Sequence, residues 1–381
     1  MKTAKIKTAT FSLEQDGFSL HTFEISYALN WENYQQIIAD LKERADNWYR
    51  CKNGTLCFYC FSKYGVRINL TAGVSKYKPT MYMIINPRKL LNPDSSYLGI
   101  LVPEKASIKK IDKRFTQLFE NTPIPCKINQ YLLNRVDLCV NMRIDNKKIF
   151  RELIRVLRKL PTPSGYERCK KKAKYPDDKQ EAKKIREYNK HYLCYKREKD
   201  ELVIYDKLYQ MENESLRVGY EKLPEGLLRA ELHCSRRVVW DLQKETRLSK
   251  PLEQLTRLME ESEERLMKAF HDCFHKGVFL QYKELEKRIS QSSFKQKTKE
   301  TMLQLCTDLR KKQSVDKALT SLEAKGAKTD RLLKKFHKLG ISPVPLWENF
   351  MASELPGPIE LLEAVAHKGE YPVEYIITKQ K

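Results

Sequence analysis

The run Leu227-Leu228-Arg229-Ala230-Glu231-Leu232-His233-Cys234 sets Arg229, Glu231 and His233 at every second position among aliphatic residues. Two runs upstream have the same character: His191-Tyr192-Leu193-Cys194-Tyr195-Lys196 and Leu202-Val203-Ile204-Tyr205-Asp206-Lys207. Each is short, rich in aliphatic and aromatic residues, and bounded by charged or Gly/Pro breaks, which reads as three strands. Side chains alternate across a strand, so Arg229, Glu231 and His233 share one face, and Tyr205 and Lys207 share another. A phenol, an ammonium, a carboxylate and an imidazole can therefore face one place. Phosphodiester chemistry uses such a set: a nucleophile, a cation for phosphate and ligands for a divalent metal.

With 381 residues the chain can bury a sizeable core, and two domains are the natural expectation. Its 72 basic and 49 acidic residues leave a net charge of +23, which favours a polyanionic partner, nucleic acid first. No apolar run approaches the length of a spanning helix, so no membrane partner is expected. The basic start Met1-Lys2-Thr3-Ala4-Lys5 precedes no signal-peptide core. Ten scattered cysteines suit reduced thiols and a cytoplasmic location.

Working outward, two strands are expected within 5–26, around the turn Gln15-Asp16-Gly17. A helix is expected over 31–45, and strands at 56–62, 66–71 and 80–86. Ile85-Asn86-Pro87-Arg88-Lys89-Leu90-Leu91 reads as a strand end followed by a Pro-initiated turn or short helix. A helix follows near 107–120, then a strand over 132–141, then a helix that Asp145 can cap. From Arg168 to Lys199 there are thirteen Lys/Arg against five Asp/Glu. This reads as a basic loop or frayed helix, in which Lys170, Lys171 and Lys172 are candidates for phosphate contact; a solvated charged face is the plain alternative. After Trp240 the helical spacing takes over, with helices expected across 249–277 and near 282–290, 295–312, 314–325 and 329–339. Strand signal returns only at 371–377. The expected architecture is α+β: a central antiparallel sheet with flanking helices over 1–240, then an all-helical domain over 241–381 for DNA binding or interaction.

Cys57-Phe58-Tyr59-Cys60 is half a zinc motif without its other half, and reads as core. His271-Asp272-Cys273-Phe274-His275 lacks the glutamate of HExxH, and no P-loop is present. Asn134-Arg135-Val136-Asp137-Leu138-Cys139-Val140-Asn141 says more. Arg135 and Asp137 share one face of an apolar strand, where charges are paired or functional. A structural Arg–Asp pair stays open. In the functional reading, Asp137 and Glu231 hold one divalent ion through oxygen, which suits magnesium or manganese, and His233 adds a nitrogen.

Arg135-Val136-Asp137, Leu202 to Lys207, and Leu228-Arg229-Ala230-Glu231 resemble, in order, the motifs of rolling-circle replication initiators. The likeness is above all to the gene II/X replication proteins of filamentous phages and to Rep-trans-type plasmid initiators. Ile85 to Leu91 resembles the family's strand and Pro–Leu turn, and Leu332 to Pro345 resembles the end of its helical region, so the likeness spans roughly 80–345. It implies an HUH-like, Rep-type nicking domain that cuts one strand at an origin and keeps the 5′ phosphate on a tyrosine. By position it assigns Tyr205 as nucleophile, Lys207 as its neighbouring lysine, and Asp137 and Glu231 as metal positions for Mg2+ or Mn2+. Arg135 and Arg229 are the strand cations expected to meet DNA. Origin DNA, duplex and single-stranded, and a host helicase are the implied partners, and a homodimer is compatible with it.

The chain departs from the wider nicking superfamily in lacking the His-hydrophobe-His metal motif, and Asn141 stands where a second acidic residue often occurs. Tyr192 stays open as the nucleophile. It falls opposite Tyr205 in a hairpin, and Tyr188 precedes it at helical spacing. A mobilisation relaxase with the same chemistry, or a nucleic-acid-binding protein without catalysis, are the competing readings.

Overall fold

The strand Leu132–Ile144 is buried on both sides of its backbone, and it lies at the centre of the architecture. Val136, Leu138, Val140, Met142 and Ile144 are buried on one face, and Asp137, Cys139 and Asn141 are buried on the other. A strand covered on both faces belongs inside a sheet. The computed structural model describes all residues except 1–3, 46, 74–77, 173–177, 215–222, 312–313, 330 and 379–381.

The sheet strands are β1 (Ala4–Ala28), β2 (Trp48–Arg50), β3 (Leu56–Phe58), β4 (Val66–Thr71), β5 (Thr80–Ile85), β6 (Leu132–Ile144), β7 (Glu167–Cys169), β8 (Tyr192–Lys196), β9 (Asp200–Asp206) and β10 (Gly226–Cys234). They run in the order β2-β3-β4-β5-β1-β6-β10-β9-β8-β7, and neighbouring strands are antiparallel. A two-stranded sheet pairs β11 (Phe279–Leu280) with β12 (Glu354–Leu355). The last strand, β13 (Glu370–Thr378), returns to the main sheet and pairs with residues 4–12 of β1.

The helices up to residue 273 are α1 (Trp31–Arg44), α2 (Pro87–Leu91), α3 (Lys105–Phe119), α4 (Lys147–Leu157), α5 (Lys179–Tyr188), α6 (Lys207–Asn213), α7 (Arg236–Thr246), α8 (Pro251–Glu260) and α9 (Ser262–Cys273). After them come α10 (Tyr282–Ser290), α11 (Gln296–Arg310), α12 (Val315–Ala324), α13 (Leu332–Lys338) and α14 (Pro358–Lys368). Helices α7, α8 and α9 lie against β6, and α3 packs on α8. Leu255, Leu258, Leu266 and Phe270 share one core with Val136, Leu138, Phe115 and Phe119. Burying each such side chain contributes about 1.5–3 kcal/mol.

The architecture is therefore α+β, built on a large antiparallel sheet. Residue 240 marks a change in composition and not a gap in packing, since helices beyond it cover the sheet and β13 extends it. The expectation that everything after residue 240 is helical is corrected accordingly. Three local expectations also change. Residues 4–28 form one strand, with a register shift between Leu13 and Phe18 and Gly17 at a φ of 62°, in place of two strands and a turn. Asn146, not Asp145, caps α4, while Asp145 accepts a bond from the Thr10 N–H at 2.8 Å. The basic stretch is neither loop nor frayed helix throughout: it contains β7 and α5, and residues 173–177 lie outside the described residues.

Candidate active site

Register brings the polar residues of four strands onto one sheet face. On β10, Arg229 pairs with Asn141, Glu231 with Cys139 and His233 with Asp137 of β6. On its other side, Arg229 pairs with Tyr205 of β9, and Tyr205 pairs in turn with Tyr192 of β8. Paired residues in an antiparallel sheet point the same way, so the strand alternation read from sequence converges here as expected.

Glu231 is the hub. Its Oε1 accepts a 2.6 Å hydrogen bond from the Tyr205 hydroxyl and lies 3.0 Å from His21 Nδ1. Its Oε2 lies 3.0 Å from His233 Nε2. Arg229 Nη1 approaches Oε1 at 3.9 Å. Burial opposes ionisation of Glu231, but the two imidazoles hold its pKa well below the usual carboxylate range. Burial pulls His233 down, and the bond to Glu231 with the charges of Asp137 and Glu231 more than offsets it, raising His233 to about 9. For His21 burial wins and its pKa falls, so at neutral pH it is the uncharged imidazole. Burial, followed by the charge of Glu231, pushes Tyr205 well above its ordinary value, so its hydroxyl keeps its proton and donates.

Arg229 has no exposed surface. Its Nε donates to Asn141 Oδ1 at 2.7 Å, and its Nη2 donates to the Leu98 carbonyl, which also accepts from Asn141 Nδ2 at 2.7 Å. Leu98 packs with Leu227 and Met211 of α6, closing this part of the face. The expectation that Arg229 contacts DNA is corrected: it is an internal cation that anchors the carboxylate hub.

Lys207 is not the last residue of a strand but the first of α6, whose cap Asp206 accepts from the Tyr209 N–H at 3.0 Å. Its Nζ lies 6.0 Å from the centre of the Tyr205 ring and donates to Gln210 at 2.8 Å. Burial, then the nearby Arg229 charge, lowers its pKa to about 7.

Asp137 belongs to a neighbouring cluster. Its carboxylate accepts from the Thr22 hydroxyl and pairs with Arg135 Nε at 3.0 Å and Nη2 at 3.2 Å. Arg135 keeps about a third of its side chain exposed (36%). Tyr192 is half-buried; its ring lies 5.8 Å from that of Tyr188, the last residue of α5, so the two meet across a helix end and not along one helical face. Lys171 caps this pair, with Nζ 3.8 Å from the Tyr188 ring centre, while Asn189 binds the Lys171 backbone on both sides. Lys170 and Lys172 are exposed.

Among the described residues no group of three His, Cys, Asp or Glu side chains is set around a common metal position; His233 hydrogen-bonds to Glu231 instead, and His21 Nδ1 lies 3.0 Å from it. The donor types nevertheless suit a divalent ion. Two imidazoles flank an ionised carboxylate; buried His21 is in the uncharged form that binds metal, and His233, raised to about 9, has to give up its proton to do so. His21 was not anticipated from sequence. It sits where β1 slips register, between the pairs Leu20–Leu138 and Thr22–Asp137, and so falls outside any alternation.

No protein-family model matches the chain, and no curated protein matches it.

Proposed function

We propose that this protein is a rolling-circle replication initiator that nicks and rejoins one DNA strand through a covalent 5′-phosphotyrosine. The observation that carries the reading is the 2.6 Å bond from the Tyr205 hydroxyl to Glu231. It pairs a nucleophile with a proton acceptor at the point where the sequence motifs converge.

In this reading the Tyr205 oxygen attacks the phosphorus in line, and its proton passes to the Glu231 carboxylate. The 3′ oxygen leaves with its electron pair and takes up a proton, giving a free 3′-hydroxyl and a phosphotyrosine. Rejoining is the reverse, so the phosphodiester energy is retained and no nucleotide is hydrolysed. Arg229 and the two imidazoles fix the carboxylate, and the ammonium form of Lys207 adds positive charge beside the phenolate as it develops. Exposed Lys170, Lys172 and half-exposed Arg135 hold backbone phosphates. A divalent ion, manganese or magnesium, would be held by His21, Glu231 and His233, with Asp137 beside them, and would supply positive charge to the scissile phosphate.

One observation favours a second nucleophile. Tyr205 is only 5% exposed, whereas Tyr192, its partner across β8 and β9, is half-buried. Among the described residues no carboxylate accepts a hydrogen bond from Tyr192, which is why Tyr205 is preferred. The test is adduct formation on 3′-labelled single-stranded DNA with the full chain, since the 3′ fragment is the one the tyrosine keeps. Tyr205→Phe should bind DNA and form no adduct, while Tyr192→Phe should form it. Failure of the wild type to form an adduct with any divalent metal would reject the reading.

A further inference from the structure

The sheet face that carries Glu231 continues for four more strands and is partly open to solvent, with Ser26 and Cys57 buried. Beyond Thr22 and Glu24 of β1, register aligns Ser26, Tyr82, Asn69, Cys57 and Tyr49 in one row across β1, β5, β4, β3 and β2. Beside that row, Arg67 and Glu24 flank Ile84. On β4 and β5 the opposite face is fully buried, through Ile68, Leu70, Met81 and Met83, yet on this face Arg67 is exposed and Asn69, Thr71 and Tyr82 are only half-covered. The open part of this face forms a trough of about 850 Å3, walled by strands and the 50–55 turn, and none of its described lining residues is helical.

The composition of this trough is unusual for a solvated sheet face. Tyr82 lies on its floor and Tyr49, 45% exposed, at its rim, with Tyr59 stacked on Tyr49 at 6.0 Å between ring centres. Lys52 and Arg67 ring it, and Asn53 and Asn69 supply amides. Glu24, the one carboxylate among its described lining residues, lies near Arg135 and Arg67 at the inner end. Aromatic rings for base stacking, cations spaced for a backbone and amides for base edges are what a single strand needs. A duplex hides its base faces and gains nothing from Tyr82.

We infer that this trough is a binding site for single-stranded DNA, with bases stacked on Tyr82 and Tyr49 and phosphates on Lys52 and Arg67. The inference rests on the nicking reading and extends it: the trough holds a segment flanking the scissile bond. The strands between Tyr205 and Arg67 span about 24 Å at ordinary strand spacing, a distance covered by a few nucleotides. The Glu24, Arg135 and Asp137 side chains lie on the same face between them.

The test is fluorescence anisotropy of the full-length protein with a labelled oligothymidylate of about 24 nucleotides, long enough to reach both sites. Tyr82→Ala should bind at least about fivefold more weakly, the value of one stacking contact, and Tyr82→Phe should bind like wild type. Arg67→Ala should lower the salt dependence by about one phosphate contact. Arg67 is exposed, so this variant decides the matter if Tyr82→Ala does not fold. Wild-type affinity with unchanged salt slope in both alanine variants would overturn the inference. The readout needs no cleavage. Weakened binding in these variants, with no adduct in the wild type, would reject nicking alone. Normal adduct formation with unaffected trough variants would reject the trough alone.

Discussion

Tyr205 and Glu231 face each other across β9 and β10, joined by a 2.6 Å hydrogen bond in which the phenol donates and the buried carboxylate accepts. Neither group meets solvent freely, with exposures of 5% each. The carboxylate is ionised because His21 and His233 hold it so, and the phenol is protonated because burial, and then that carboxylate, oppose its ionisation. Each member of the cluster thus sets the state of the next.

Glu231→Gln should abolish adduct formation and also weaken the fold. It keeps the volume but leaves Arg229 buried without its carboxylate, which costs roughly 3–5 kcal/mol. Urea unfolding measures the loss. Asp137→Asn removes a bond to Thr22 and the pair with one-third-exposed Arg135, so it should cost less than about 2 kcal/mol and reduce activity without abolishing it. Equal stability losses in the two variants would contradict the hub role of Glu231.

Stability should vary with pH through two opposed groups. The folded pKa of His233 is raised from 6.5 to about 9. Its contribution, about 3 kcal/mol, is therefore fully present below pH 6.5 and lost as pH rises through 9. The Lys207 pKa is lowered from 10.5 to about 7. Its burial costs most below pH 7 and is relieved as pH rises from 7 towards 10.5. The two slopes offset each other in the wild type between pH 7 and 9. Lys207→Met should remove the second and leave a protein whose urea midpoint falls steadily from pH 6.5 to 9. A midpoint rising over that range would refute the His233 assignment.

The strand alternation that places Arg229, Glu231 and His233 together is visible in the sequence because a pleated backbone has a period of two and the residues between are aliphatic. The central β6 is legible for the same reason, and so are the helices whose apolar stripes face the sheet. Three features were hidden. His21 occupies an irregularity of β1, which breaks the period that would reveal it. The burial of Arg229 depends on the Leu98 carbonyl, 131 positions away in sequence, and no local pattern records that contact. Lys207 looked like a continuing strand because the apolar run leads into it. Asp206 with the Tyr209 N–H three residues on is a helix cap, and that spacing was the available signal.

Metal dependence should track the imidazoles. EDTA should stop adduct formation, and manganese should restore it. His21→Gln should raise the manganese concentration needed for half-maximal adduct by about tenfold or more, the usual effect of disturbing a metal site's ligand shell. Adduct formation in EDTA at the wild-type rate would remove the metal from the account.

The basic segment after β7 divides by exposure. Lys170→Ala with Lys172→Ala should weaken binding to unrelated DNA as much as to an origin, and lower the salt slope by up to about two. Lys171→Ala should instead disturb Tyr188, whose ring it covers, and shift tyrosine fluorescence. Unchanged salt dependence in the double variant would mark that face as merely solvated.

The most direct test of the central claim is peptide mapping of the trapped protein–DNA adduct by mass spectrometry after nuclease trimming. The account predicts a single nucleotide-bearing peptide, modified at Tyr205. A modified peptide containing Tyr192 and not Tyr205 would contradict the assignment of the nucleophile.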